Sequence, residues 1–170
     1  MTRNQRIRRV ALLCCHCARN VAYYRSGWNQ HRFEKSEDFW ISSNGNFLDL
    51  AVLEWCKLFT DRRGKHHWSK VVPTSVDFLP ELHAHLRVDE KAFDDHCQKM
   101  KFYRDKFIAH LDEELVMHIP QLTLVVDSAI YLYNFVHTEY GELLPDAPNN
   151  LKQFYHERFI HGKAAYGIAT

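Results

Sequence analysis

The chain has 170 residues, the size of one ordinary domain, and its formal net charge is +1 at pH 7. This near balance excludes a protein that is strongly basic overall, although it leaves room for a local basic patch. The 6 Gly and 5 Pro are too few for a β-sandwich with many turns, and the aromatic fraction of 14% predicts a core rich in large rings.

The cysteine content and the short apolar runs predict a cytoplasmic protein without membrane contact. No apolar run reaches the ~18 residues that a membrane-spanning helix needs. The apolar stretch 10–15 is too short for a signal peptide. Five Cys are an odd number, and the cluster of Cys14, Cys15 and Cys17 has no matching pair elsewhere for a zinc site. We therefore expect these three Cys to pack in the core as free thiols, with no bound metal.

Apolar residues at helical spacing divide the first half of the chain into two long helices. The first helix is predicted over about 4–24, and the polar stretch 26–35 interrupts the pattern. The second is predicted to begin at 36–38, where Ser36 can act as N-cap, and to run to Phe59 with a kink or an interruption at Asn44-Gly45-Asn46. A loop is predicted over 61–73.

The second half adds two long helices and two shorter ones. The long helices are predicted over 89–111 and 118–140, with a short helix over 75–86 and a final helix over about 149–165. No segment shows sustained period-two alternation. The predicted fold class is therefore all-α: a single domain over 1–170 with its core over about 5–141. It consists of an antiparallel bundle of four long helices with shorter helices at its side.

The segment 103–112 places Arg104, Asp105 and His110 inside an otherwise apolar helical pattern. Arg supplies a permanent cation with a planar fork of donors suited to phosphate. His is the side chain best able to transfer a proton near neutral pH. Metal-free RNA cleavage needs a base for the 2′-hydroxyl, an acid for the leaving oxygen and positive charge on the phosphorane. The segment thus contains residue types that this chemistry uses.

The spelling of this segment resembles the signature of the HEPN superfamily of helical ribonucleases, in which an Arg is followed by a His after four to six residues. The fuller spelling Arg-Asp-Lys-Phe-Ile-Ala-His-Leu-Asp is similar to the Arg-(Asn/Asp)-Lys-x-x-Ala-His-x-Asp segment of HEPN proteins from abortive-infection and toxin systems. The segment 53–59 and the following His66-His67-Trp68 are also similar to members of that group. The resemblance covers roughly residues 5–141.

The resemblance implies a metal-independent endoribonuclease of the toxin or antiphage-defence kind that needs no cofactor. Its active groove would form at a homodimer interface, and its products would carry a 2′,3′-cyclic phosphate and a 5′-hydroxyl. His110 would act as general base or acid, Arg104 would bind the scissile phosphate, and Asp105 would orient one of them. An antitoxin or another regulatory protein is an expected further partner.

The helix geometry agrees with a composite site. On one straight helix, Arg104 and His110 are turned roughly 120° from each other and separated by ~9 Å of rise. One helix cannot bring both side chains to one small substrate group, whereas a two-fold interface brings two copies of the motif together. The open alternative is structural: Arg104 pairs with a nearby acid and His110 stabilises a helix end.

A second candidate site is the basic, aromatic-bearing loop before the short helix. Such loops contact phosphates and stack bases, and the alternative is a solvated loop with Trp68 packed in the core. The predicted RNA-binding residues are Arg62, Arg63, Lys65, His66, His67, Trp68 and Lys70. Because the net charge is near zero, selective RNA binding would need a shaped substrate such as a tRNA loop.

Two other functions remain open at this stage. One is a non-catalytic helical binding module that keeps a HEPN-like fold and dimerises with a partner protein. The other is a metal-binding bundle enzyme that resembles DinB-like proteins and uses His side chains from several helices. The arginines Arg3, Arg6, Arg8 and Arg9 are compatible with an RNA or partner contact and with a solvated helix start.

Overall fold

The computed structural model describes residues 1–29, 32–109 and 118–168, which form an all-α fold with one short β-hairpin. The α-helices are α1 (Arg3–Ser26), α2 (Asp38–Phe59), α3 (Phe78–Leu86), α4 (Glu90–Tyr103), α5 (Leu122–Tyr140) and α6 (Leu151–Tyr166). Strands β1 (Trp28–Asn29) and β2 (Arg32–Phe33) pair antiparallel between α1 and α2. Within the described residues, no helix is both long and apolar enough to cross a membrane.

Helix α1 is central because it packs against α2, α5 and α6. It begins after Thr2, whose hydroxyl accepts a hydrogen bond from the Gln5 N–H while the Gln5 side chain accepts one from the Thr2 N–H. The predicted core packing of the cysteine cluster is confirmed, since Cys14 and Cys17 are 0% exposed and Cys15 is 8% exposed. Burial raises the pKa of all three thiols, that of Cys15 to about 11.

Helix α2 runs without interruption through Asn44-Gly45-Asn46, so an interruption there is wrong, while a kink stays a prediction. The reason is that Asn44 is buried and satisfied by distant partners. Its Nδ2 donates to the Tyr24 carbonyl at 2.9 Å and to the Tyr166 hydroxyl at 3.0 Å, and its Oδ1 accepts from Trp28 Nε1 at 3.2 Å. An Asn engaged in this way does not compete for the backbone of its own helix.

The motif helix differs most from its prediction. An α-helix was predicted over 89–111, but α4 ends at Tyr103 and continues as a π-helix over Arg104–Ala109. Helix α4 packs against α2 and α3, and the Tyr103 hydroxyl donates to Asp49 Oδ1 of α2 at 2.9 Å. Helices α3 and α5 begin three and four residues later than predicted, at Phe78 and Leu122.

Candidate functional site

Arg104 is held between two carboxylates. Its Nη1 donates to Asp61 Oδ1 at 2.7 Å and its Nε donates to Asp105 Oδ1 at 2.8 Å. The hydrogen bond to Asp105 is the main cause that raises the pKa of Arg104, and the hydrogen bond to Asp61 adds to it, while burial acts in the opposite direction. The side chain of Arg104 is 21% exposed. The guanidinium therefore has a fixed orientation without being sealed from solvent.

The backbone at this position is as unusual as the side-chain contacts. Arg104 is the first residue of the π-helix, a conformation that is rare in proteins and occurs frequently at functional sites. Asp61 reaches Arg104 from the loop that follows α2, where its N–H donates to the Cys56 carbonyl at 3.0 Å. The carboxylate of Asp61 in the loop and the guanidinium of Arg104 in the π-helix thus hold each other in place.

Asp61 also lines a cleft of about 1160 Å³ between the loop and helices α3 and α4. Apolar side chains of the cleft come from Phe59, Trp68, Leu79 and Phe93. Charged side chains of both signs surround them, namely Arg62, Arg63 and Lys101 with Asp61, Glu90 and Asp94. An apolar surface bordered by cations suits a nucleobase with its phosphate, and the acids limit binding of polyanions that lack a fitting shape.

The predicted basic loop does not form one surface. Arg62, Arg63, His67 and Trp68 line the cleft, whereas Lys65 and His66 line a different pocket next to the start of α1. Lys70 is exposed at the end of the short 3₁₀ turn Trp68–Lys70. The loop therefore separates the predicted RNA-binding residues into two groups that face different parts of the molecule.

His67 and Trp68 both make structural contacts. His67 is 3% exposed, with its Nε2 3.3 Å from the Phe59 carbonyl and its Nδ1 2.8 Å from Ser69 Oγ. Burial lowers the pKa of His67, which favours the neutral ring. Trp68 stacks on Phe78 with ring centroids 4.7 Å apart. These contacts match the alternative in which Trp68 packs against the core, and they leave Arg62 and Arg63 as the exposed loop cations of the cleft.

His110, the predicted proton-transfer residue, lies outside the described residues. Its role stays a prediction, as does the absence of a resident metal. Within 1–29, 32–109 and 118–168, no group of three or more His, Cys, Asp or Glu side chains is arranged to hold a metal ion.

Sequence reasoning missed a polar network between α1 and α2. His16 Nδ1 lies 3.1 Å from Glu54 Oε1, and Asn20 Nδ2 donates to Glu54 Oε2 at 2.9 Å. Burial raises the pKa of Glu54, while His16 acts to lower it. The available signal was positional, because Asn20 and Glu54 are polar residues at positions of their helices that face the core.

Comparison with known proteins identified no matching family model, no matching curated protein and no matching solved structure.

Proposed function

We propose that the protein is a metal-independent endoribonuclease of the toxin or antiphage-defence kind, with a HEPN-like helical bundle and a composite active site at a homodimer interface. The observation that carries the proposal is the Arg104 guanidinium, which Asp61 and Asp105 orient at the side of a cleft with an apolar surface. The sequence of the motif and the π-helix that contains Arg104 support the same site.

Arg104 retains donors for a substrate. Its Nε and Nη1 bind the two carboxylates, and its Nη2 has no hydrogen-bond partner among the described residues. In the proposed reaction, the 2′-hydroxyl oxygen attacks the adjacent phosphorus and the bond to the 5′-oxygen of the next nucleotide breaks. The proton of the 2′-hydroxyl passes to a base and the leaving 5′-oxygen takes up a proton, with His110 as base or acid. Arg104 stabilises the negative charge on the phosphorane oxygens.

The cleft supplies the proposed RNA contacts. Arg62, Arg63 and Lys101 are placed to contact phosphates, and the neighbouring acids weaken binding that depends on charge alone. We therefore propose a structured RNA, such as a tRNA loop, as the substrate class. Specificity then comes from the shape of the cleft and from stacking against its apolar side chains.

A non-catalytic binding module is the second candidate, and the ion pairs of Arg104 favour it. Two carboxylates already offset the charge of the guanidinium, as they would for a purely structural arginine. In this case the dimer or a protein partner, such as an antitoxin, would be the functional state.

Cleavage of tRNA by the wild type, Arg104→Ala and His110→Ala separates the two candidates. Each variant is expected to lose about 100-fold or more in rate, because a general acid or base and a single electrostatic donor each contribute at least roughly that much. Lys91→Ala, an exposed change on α4, is the matched control and should retain wild-type activity. The products should carry 2′,3′-cyclic phosphate ends, and EDTA should not change the rate.

Sedimentation tests the proposed assembly, with an expected mass of about twice the 20.2 kDa chain.

Equal cleavage by the wild type and both variants would contradict the proposal and assign the activity to a contaminating nuclease. A stable dimer without cleavage would select the binding module, and EDTA-sensitive cleavage with 3′-hydroxyl ends would reject the proposed chemistry.

A further inference from the structure

The start of α1 concentrates positive charge where a helix favours negative charge. The first turns of α1 carry Arg3, Arg6, Arg8 and Arg9, and the first turn contains no acidic residue. Backbone N–H groups at a helix N-terminus already produce a positive potential. Acidic side chains near this end therefore stabilise the helix, and cationic side chains destabilise it. This arrangement is unfavourable for the isolated helix, so an anion that binds there relieves the repulsion.

Three elements bring further cations to the same place. Arg8 and Arg9 of α1 line a pocket of about 670 Å³ together with Lys65 and His66 of the loop. Met1 and Gln5 complete its lining. Arg6 of α1 and Lys57 near the end of α2 lie close enough to act electrostatically on His66. We call the four pocket-lining residues Arg8, Arg9, Lys65 and His66 the α1 cationic cluster.

The α1 cationic cluster has no carboxylate partner within the described part of the chain. The ion pairs among the described residues lie elsewhere: they join His16 to Glu54, and Arg104 to Asp61 and to Asp105. In addition, His66 Nε2 is a buried atom without a hydrogen-bond partner among the described residues. Buried polar atoms are normally satisfied, so His66 adds an unmet polar group to the wall of this cationic pocket.

We propose that this pocket binds a compact polyanion, namely two or three linked phosphates such as the polyphosphate chain of a nucleotide. The cations that line the pocket come from α1 and from the loop, and they surround one compact space rather than follow a line as an extended nucleic-acid backbone requires. The pocket volume is within the range of ~300–1,000 Å³ typical of small-molecule sites. The α1 cationic cluster lies apart from the cleft beside Arg104, and this inference does not rest on the proposed ribonuclease activity.

His66 gives the site a further testable property. Burial and the neighbouring Arg9, Lys57, Arg6 and Lys65 lower the pKa of His66. A bound polyphosphate would place negative charge beside the ring and favour the protonated form. Binding is therefore expected to be accompanied by proton uptake at His66, and His66→Gln should abolish this part of the proton uptake.

Calorimetric titration of the full chain with tripolyphosphate, without divalent cations, tests the proposal. We expect saturable binding near one ligand per chain and much weaker binding of inorganic phosphate. Arg9→Glu and Lys65→Glu should each weaken binding ~10-fold or more, since each removes a charge-assisted contact and adds repulsion. Lys91→Glu on α4 makes the same charge change away from the pocket and should leave the affinity unchanged. Circular dichroism of each variant verifies that it is folded.

Two further ligands decide the source of the phosphates. Tighter binding of a nucleoside triphosphate than of tripolyphosphate would identify a nucleotide site, and equal binding would show that the phosphates alone are recognised. Both results support the proposal. A short single-stranded RNA with a 5′-hydroxyl end that binds tighter than both, and is weakened by Arg9→Glu, would overturn it in favour of a backbone contact. Absence of measurable tripolyphosphate binding in low-salt buffer would also overturn it.

Discussion

The two sides of the loop after α2 carry similar numbers of cations but neutralise them differently. On the cleft side, Arg62, Arg63 and Lys101 share the surface with three acids, and two carboxylates hold Arg104 itself. On the side that faces α1, the α1 cationic cluster has no carboxylate partner among the described residues. The net charge of +1 averages over both sides and conceals the difference.

The contrast separates a cation that is held in one orientation from cations that are available to bind an anion. Paired carboxylates fix the direction of a guanidinium, which suits a group that must meet a transition state in one geometry. Unpaired cations keep their capacity to bind an anion, at the expense of mutual repulsion in the free protein. The following changes test the contrast, from the largest expected effect on free energy to the smallest.

Acidification is expected to act on α4, which forms one wall of the cleft. His96 is 4% exposed, and burial, with a smaller effect of Lys99, lowers its pKa from 6.5 to about 4. The unfolded chain therefore binds a proton at pH values where folded His96 does not. The free energy of unfolding should fall between pH 6.5 and pH 4, by about 3 kcal/mol from this residue alone.

Urea unfolding across this pH range, with wild type and His96→Leu, measures that contribution. The free energy of unfolding of His96→Leu should fall less steeply between pH 6.5 and pH 4 than that of the wild type. His66→Leu is the matched change in the α1 cationic cluster and should have a smaller effect, because His66 is only partly buried. Parallel pH profiles for wild type and His96→Leu would show that the acid sensitivity originates elsewhere.

His67 connects the loop to the end of α2 through its imidazole contacts, and His67→Ala should weaken the fold. The change leaves the Phe59 carbonyl and the Ser69 hydroxyl without their imidazole partner. The expected loss in the free energy of unfolding is about 2 kcal/mol, as for other buried hydrogen-bonding groups that lose a partner. His85→Ala, an exposed change on α3, should alter stability much less. Equal stability of both variants would remove His67 as the residue that holds the loop.

The pairing of Arg104 with the loop is tested by Asp61→Asn. Amide substitution keeps the shape but replaces a charge-assisted hydrogen bond with a neutral acceptor, so Arg104 is oriented less firmly. We expect a roughly tenfold lower cleavage rate at saturating RNA, without a matching change in substrate affinity. Glu90→Gln changes another acid of the same cleft without a contact to Arg104 and provides the control. A larger effect of Glu90→Gln would place the important acid elsewhere.

The smallest effect concerns the unpaired side, where a charge reversal should stabilise the free protein. Lys65→Glu replaces repulsion with attraction inside the α1 cationic cluster and should raise the free energy of unfolding by about a few tenths of a kcal/mol. Added salt should reduce the difference by screening. Arg63→Glu, the corresponding change among the acids of the cleft, should not stabilise. Thermal unfolding at low and high salt measures the stability of both variants. A lower stability of Lys65→Glu would contradict the idea that the cations of the α1 cationic cluster repel each other in the free protein.

The helices and the buried cysteines could be predicted from the sequence because their causes are local. The apolar spacing from Ile7 to Ala22 requires only that one helix face meets a core. The helix is not interrupted at Asn44, because the partners of that side chain, Tyr24 and Tyr166, are 20 and 122 residues away. A local rule for Asn cannot include such partners.

The candidate site was predictable in its residue types and not in its arrangement. Arg104 could be identified from its motif, but Asp61 lies 43 residues earlier in a loop whose path no periodic pattern determines. The change from α-helix to π-helix at Arg104 also has no local signature. Likewise, the division of the basic loop depends on whether each side chain turns toward α1 or toward α4.

The contact between the first and the last helices of the fold has a consequence for the order of synthesis. Gly162 of α6 packs so closely on α1 that an added Cβ would lie 2.1 Å from Ser26 Oγ, and Arg25 donates to the Tyr155 hydroxyl across 130 residues of sequence. At ~5–20 residues per second, the ribosome needs roughly six to twenty-six seconds to make the chain between these helices. During this time one face of α1 is without its partner and available to chaperones or to other nascent chains.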